Sequence, residues 1–589
     1  MTNNGVCEKQ SDAESISFEA LSQAPVHKFS WRQLIGIWAL CLAVVAIVCL
    51  VQVPKYATPD DFMQDLYARG AYFHTPGYLM LYSTIPFSAP ICALYQLLPS
   101  VPWFPLVLFF MTAASFVVIH CLAWQLNVPR MQKLVIGFAL ICCEVMTCLY
   151  FTYTVVAFLA FAAGAGWVVA RAAFVRPDHF FLGDLGAYLL LFEGFSLRPE
   201  SGLSAAVMFA PFVVWALIKT RNKRTMIMAA AVIGLMTLSY IAGHIAWNVT
   251  EGWESFLALS NAARSIADYP QLSLEAASHA VPEISRNDLA MLYEFCFVDS
   301  DVYTLPLLNE LGDAVSSYGL SSIIAAVMSR KAYTLFILFL VMVITATALL
   351  LTHLLGLTKS RRIFVLSIPG MLLLEYVVVY LRARVLMQVV LPLFVIALFA
   401  VIAACYVGCT EQASVRAEHK TSRAVQLFSY AGVVAYVAIT VFIEIQYALP
   451  LQRELNLDLT PRAQQYVDSH PTQDVLFTHT QGVLTNYDVF AFETWDHPDN
   501  AIFFGGYEQY TPAWQNMLSE RDLTNSDGFI AQRLLESDAV SVSTADQAEM
   551  IRTYLEEHTG LSVKLTQVEN LGEGSQTEGP VSVWSYQVV

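Results

Sequence analysis

The chain has 589 residues, 56% of them hydrophobic and only 14% charged, with a mean hydropathy of +0.53. That is too apolar for a water-soluble protein of this length and predicts a multi-pass membrane protein. The net charge of −16 argues against nucleic acid as a partner.

Residues 1–30 are expected to form a disordered cytoplasmic tail, since 1–27 are polar and carry no apolar period. They lack the charged start and cleavage site of a secretory signal, so the first apolar run reads as an uncleaved signal anchor. A polytopic α-helical membrane domain is predicted over 31–448. Runs of about 18 apolar residues or more are needed to cross roughly 30 Å of hydrocarbon. They fall near 33–53, 103–125, 134–150, 154–171, 180–197, 203–218, 226–246, 333–354, 363–381, 385–408 and 425–447, which makes eleven spans.

A twelfth apolar segment, 79–98, decides the topology. If it does not cross, the inner loops carry Arg130 and Lys133, Arg171 and Arg176, the Lys219 to Arg224 cluster, Lys359 to Arg362, and Arg416 to Arg423. That distribution satisfies the positive-inside rule, whereas a crossing inverts every later loop. The segment, broken by Pro86 and Pro90 and followed by Pro99, is therefore expected to lie on the outer face as an interfacial or re-entrant element. The outer side then receives loops 54–102 and 247–332 and a domain spanning 449–589, while the N-terminus is cytoplasmic.

The segment from Asp60 to Tyr72, just beyond the first span, places Asp60, Asp61, Asp65 and Arg69 at the membrane exit. Such a cluster can bind a cation, accept a proton or pair with a phosphate. The preceding Thr58-Pro59 gives a competing reading in which the aspartates merely start a helix. Farther along, Glu144, Asp184, Glu193, Arg198, Glu200, Glu375, Arg382 and Arg384 lie within or at the edges of spans. Arg198, Arg382 and Arg384 fall at outer boundaries, where basic residues are least expected, and an arginine fork suits phosphate. Snorkelling to lipid headgroups is the plainer alternative.

Loop 247–332 reads as amphipathic. Its Arg264 and Asp268 are four apart on one helix face, as a surface ion pair or as a polar wall above a membrane site. Cysteines add little: most lie in the tail, the apolar segments or their edges, Cys296 falls in loop 247–332, and no C-x-x-C pair occurs, so spacing supports neither a zinc site nor a disulfide framework. The last 140 residues alternate strand-like runs at 475–480, 501–504, 539–542, 561–565 and 581–586 with helix-favouring segments at 461–469 and 545–558. A small α/β domain is expected there.

Taken together, Asp60-Asp61 directly after the first span, the following Tyr72-Phe73-His74-Thr75-Pro76-Gly77-Tyr78-Leu79 and the C-terminal outer domain resemble the GT-C superfamily. These are polytopic glycosyltransferases that use polyprenyl-phosphate-linked sugars. The chain is most similar to bacterial GT-C-like membrane proteins whose first loop carries Asp-Asp followed by Gly-Ala-Tyr. The likeness in residues covers about 50 positions. The chain departs from the pattern where Thr75-Pro76 stands for Pro-Pro, and its second outer loop, Tyr150 to Thr154, has no carboxylate.

The resemblance implies an inverting transfer from a polyprenyl-phosphate donor to an extracytoplasmic acceptor: a cell-envelope glycan, a lipid or a protein. Asp60 or Asp61 would be the general base, the other orienting the acceptor or holding a divalent cation. Arg382, Arg384 and Arg198 would bind the donor phosphate, and Asp65, Arg69, His74, Arg264 and Asp268 would wall the acceptor site. Two other classes compete: a transporter or flippase of lipid-linked glycans, and a non-catalytic envelope assembly protein.

Overall fold

The computed structural model describes residues 30–71, 76–174, 182–220, 223–267, 272–316, 324, 328, 330–381, 385–410, 422–455, 459–478, 488–490, 500–503, 506, 510–523, 528–536, 538–573 and 579–589. A helix stands at each of the eleven predicted spans. Nine among the described residues are long and apolar enough to cross a membrane. The other two positions are filled by Leu182–Leu197 and Pro199–Thr220. The protein is thus a multi-pass membrane protein by length and composition of its helices. The first, Trp31–Val51, starts at a capping box between Ser30 and Gln33. Segment 79–98 contains only the 13-residue helix Ile85–Leu97, with Pro90 inside it. At 1.5 Å per residue it reaches about 20 Å, too short to cross.

Tyr153–Phe174 and Met387–Thr410 run through the middle of the bundle, with nearly every described side chain buried. Without a hydrophobic drive between helices inside lipid, close approach depends on small residues. The hairpin of Tyr153–Phe174 and Leu182–Leu197 uses glycine twice. A Cβ on Gly194 would sit 2.4 Å from the Phe161 nitrogen, and one on Gly164 would sit 2.5 Å from the Ala187 carbonyl oxygen. At the far end of this hairpin Arg171 grips Asp184 in a two-pronged ion pair of 2.8 and 3.0 Å, which accounts for that carboxylate. Glu375 accepts from the Ser204 hydroxyl at 2.8 Å.

The loop regions gather at one end of the bundle. Ala57 N–H donates to the Phe151 carbonyl and Thr84 N–H to that of Ser196, at 2.8 and 2.7 Å. Region 247–332 is largely helical there, with Trp253–Ala267, Leu274–Ala280, Arg286–Tyr293 and Leu305–Ser316.

The C-terminal sheet domain has five strands: β1 (Val475–Phe477), β2 (Ala501–Phe503), β3 (Val540–Thr544), β4 (Val563–Glu573) and β5 (Pro580–Val588). Each falls on a predicted strand, and Leu459–Ser469 and Ala545–Thr559 are the predicted helices. The order is β2-β1-β3-β5-β4, parallel between β2, β1 and β3 and antiparallel between β3, β5 and β4. Along β4 the register with β5 shifts twice, between Gln567 and Glu569 and between Asn570 and Gly572. Trp514 is fully buried in this domain, its indole N–H donating to the Phe503 carbonyl at 3.0 Å.

Polar contacts bolt this domain to the 247–332 helices. Buried Asp299 accepts from the Tyr554 hydroxyl at 2.7 Å and Ile530 N–H at 3.1 Å, and burial pushes its carboxyl up to about 6. Asp288 lies 2.7 Å from the His558 imidazole. Burial pushes Asp288 up, but the His558 hydrogen bond and the Ser285 backbone outweigh it and leave the carboxyl below its ordinary value. The same hydrogen bond raises His558.

Two outcomes are expected from this architecture. Gly194→Val should lower the unfolding midpoint in detergent, because overpacking against backbone costs about 1–3 kcal/mol. Gly186→Ala, with nothing within 4 Å of the added carbon, should hold or raise it by up to about 1 kcal/mol. His558 contributes fully below its ordinary 6.5 and loses that contribution as pH rises through its raised folded value, whereas Asp288 loses its own only in strong acid. His558→Ala should therefore speed proteolysis at the domain junction more at pH 6 than at pH 8.5. The effect should not exceed about 1 kcal/mol, since water screens the half-exposed imidazole.

Candidate active site

The helix Pro59–Arg69 carries the acidic segment. Thr58 is its N-cap in extended backbone, Pro59 opens the first turn, and Gly70 at φ 72° closes it. Asp60 and Asp61 occupy that first turn, where carboxylates favour the helix dipole. They differ sharply in environment. Asp61 is fully buried and accepts from the Thr58 hydroxyl and from Tyr153 N–H, both at 2.5 Å. It therefore also meets the first free N–H of the central Tyr153–Phe174 helix, a role the Thr58-Pro59 signal does not reveal. Asp60 keeps partial exposure.

Tyr153 leads to the rest of the site. Its ring stacks with Tyr82 at 6.4 Å and 27°. Arg198 donates to the Tyr153 hydroxyl at 2.7 Å and to the Thr154 hydroxyl, and its guanidinium lies 5.0 Å over the Tyr153 ring and 5.2 Å over that of Tyr82. Arg264 covers Tyr82 as well, at 4.6 Å. Tyr82 is held at φ +67°, a left-handed conformation costly for a bulky side chain. The next residues fix it there: Ser83 donates to the Leu197 carbonyl at 2.8 Å, and the Thr84 hydroxyl accepts from Ser239 at 2.9 Å. Arg198 feels the charge of both Asp60 and Glu200.

The structure thus brings Asp60, Asp61, Arg198 and Arg264 together around two stacked tyrosines. Asp65 goes elsewhere. It is buried, accepting from Tyr95 at 2.6 Å and Tyr56 at 3.1 Å, and it ties its helix to Ile85–Leu97. Burial raises its carboxyl while the charge of Arg69, one turn on, opposes the rise. His74, Asp268, Arg382 and Arg384 lie outside the described residues. Tyr82, Tyr153 and Thr154 are the members that charge-based reading missed; Tyr153 and Thr154 fall in the carboxylate-free second outer loop, and an aromatic at a membrane boundary is too common to stand out.

Burial pushes Asp61 up to about 7, although the Thr58, Tyr153 and Thr152 hydrogen bonds pull the other way. A cation at Asp60 and Asp61 would find two carboxylates. Among the described residues, they belong to no group of three or more ligating side chains within 4.8 Å of one another. The arrangement offers an accessible carboxylate, two guanidinium groups and an aromatic floor, which suits an anionic substrate beside a hydroxyl to be deprotonated.

No protein-family model matches the chain, and no curated protein matches it by sequence. A structural match is the crystal structure of ArnT from Cupriavidus metallidurans bound to undecaprenyl phosphate. It covers 94% of this chain and 98% of that one at 14% identity, with a TM-score of 0.37.

The pH behaviour of Asp61 is testable. Its folded value of about 7 lies above the ordinary 3.8, so folding favours the protonated form; this contribution is full below about 3.8 and is lost as pH rises through 7. Asp61→Asn keeps an acceptor for Tyr153 N–H and removes the titration. Its stability relative to wild type, read from thermal unfolding, should rise from pH 4 to pH 7, by no more than about 4 kcal/mol. Asp61→Ala should follow the same pH trend but lie about 1–3 kcal/mol below Asp61→Asn, because it leaves that N–H unpaired.

Proposed function

We propose that this protein is a glycosyltransferase of the GT-C kind, moving a sugar from a polyprenyl-phosphate donor to an extracytoplasmic acceptor. The observation that carries the reading is the placement of two arginines, Arg198 and Arg264, over one tyrosine ring beside a partly exposed aspartate. Two guanidinium groups at one ring, close to Asp60 and Glu200 whose charge Arg198 feels, form a mixed polar face whose arginine forks suit a phosphate diester at the membrane surface.

Asp60 is the base in this reading because it alone of the pair retains access, while Asp61 holds it in place through the helix and Tyr153. Asp60 takes the proton of the acceptor hydroxyl as that oxygen bonds to the anomeric carbon. The sugar–phosphate bond breaks, its electrons leave with the polyprenyl phosphate, and the anomeric configuration inverts. Arg198 and Arg264 meet the charge that grows on the departing phosphate. Arg382 and Arg384, outside the described residues, are candidate phosphate ligands on the sequence pattern alone. The positive-inside pattern supports an outward-facing site, with both lipid donor and envelope acceptor reaching it from that side.

Sugar transfer by purified protein in matched membranes, over a panel of polyprenyl-phosphate sugars, tests the reading. Asp60→Asn should reduce transfer by about 100-fold or more, and Arg198→Ala should raise the donor KM. Asp61→Asn should retain more activity than Asp60→Asn. Unchanged transfer in Asp60→Asn, or no transfer by wild type with any donor, would remove the proposal.

A further inference from the structure

We infer that the protein has a transition-metal site inside its helical bundle, formed by Cys41, His120 and Glu144 and suited to zinc. One ligand atom from each of these side chains lies within 4.8 Å of the others. They come from three helices, Trp31–Val51, Trp103–Gln125 and Arg130–Leu149. Cys41 and Glu144 are fully buried and His120 is 7% exposed.

Glu144 needs an explanation. Its carboxylate meets only a weak thiol donor, Cys41, and His120 Nε2 has no hydrogen-bond partner. A carboxylate left in this state in hydrocarbon costs several kcal/mol and is retained where it has a use. Two other intramembrane acids have stronger partners: Asp184 has Arg171 and Trp167, and Glu375 has Ser204. The polar groups beside Glu144 are instead a thiol and an imidazole, which are the ligands that zinc and related borderline metals prefer.

Charge makes the same point. A dipositive ion held by one thiolate, one carboxylate and one neutral imidazole forms a unit of zero net charge, so the cost of burying each ion separately disappears. Binding displaces the thiol proton of Cys41 and any proton on Glu144, and no electrons are transferred.

The ion would act as a clamp. Cys41 is one of only three buried residues in Trp31–Val51, the others being Val44 and Val45, so this helix touches the bundle through a narrow strip. Tying Cys41 to two neighbouring helices would fix the span that leads directly into the Asp60–Asp61 helix. The spacing of cysteines could not reveal this, because each ligand comes from a different span and only one is a cysteine.

The test is metal analysis of the full-length protein, carried out in a His558→Gln background. That disables a second group of ligating side chains within 4.8 Å of one another, buried Asp288 with exposed Glu557 and His558. After chelation and re-addition of zinc, about one equivalent should be retained, with a raised unfolding midpoint. Cobalt loading should give a thiolate-to-cobalt charge-transfer absorption. Glu144→Gln, which preserves shape, should reduce retained zinc at least tenfold and abolish the zinc-dependent shift, and Cys41→Ser should abolish the cobalt–thiolate band. Retention and shift unchanged in Glu144→Gln, or no retained metal and no shift in the parent, would overturn the site.

Discussion

The hydrogen bond from Tyr153 N–H to the Asp61 carboxyl is the constraint on which the architecture at this end of the bundle turns. It joins the first segment beyond the membrane to the head of the most deeply packed helix. Because the donor is an end-of-helix N–H with no partner in its own helix, the acceptor must come from elsewhere in the chain. Asp61 supplies it, and the Tyr153 side chain is thereby presented to Tyr82 and Arg198. A single buried carboxyl thus fixes the relative position of segments about 90 residues apart in sequence. Its neighbour Asp60 is left partly exposed beside it.

That division of labour within an adjacent pair explains what a sequence could and could not disclose. The spans were legible because hydrocarbon thickness sets a minimum length for apolar runs, and helices stand at every predicted position. The five strands were legible because β-rich runs such as Val540–Thr544 stand between polar helices with clear turn residues. Arg198 and Arg264 were visible as charges in outer segments where polar chemistry was sought. Asp60, Asp61 and Asp65, by contrast, look alike in sequence. Only packing separates the partly exposed one from the helix-capping one and from the one locked between Tyr56 and Tyr95. Tyr82 was invisible because its significance lies in a backbone conformation. Region 247–332, read as an amphipathic loop, is largely a helical platform, and its Asp288 and Asp299 serve the junction with the sheet domain.

Two of the intramembrane acids are met by firm donors. Asp184 is neutralised by a planar fork from Arg171, and Glu375 accepts from a serine hydroxyl. Glu144 departs from this habit. Its neighbours are groups that bind metals better than they bind carboxylates, which is why a polar residue in an otherwise apolar layer carries an argument about ligation.

The paired register shifts of β4 matter most for a protein confined to a surface. β4 is the edge of its sheet and eleven residues long, long enough to template a neighbour's strand if it were flat. Molecules restricted to a membrane plane meet repeatedly in similar orientations, so an open edge would meet its own kind far more often than in bulk water. Two local twists break the regular row of free amides and carbonyls that such a neighbour would have to match. The same irregularity that spoils an ideal ladder would therefore keep a crowded array of these proteins from zipping together sideways.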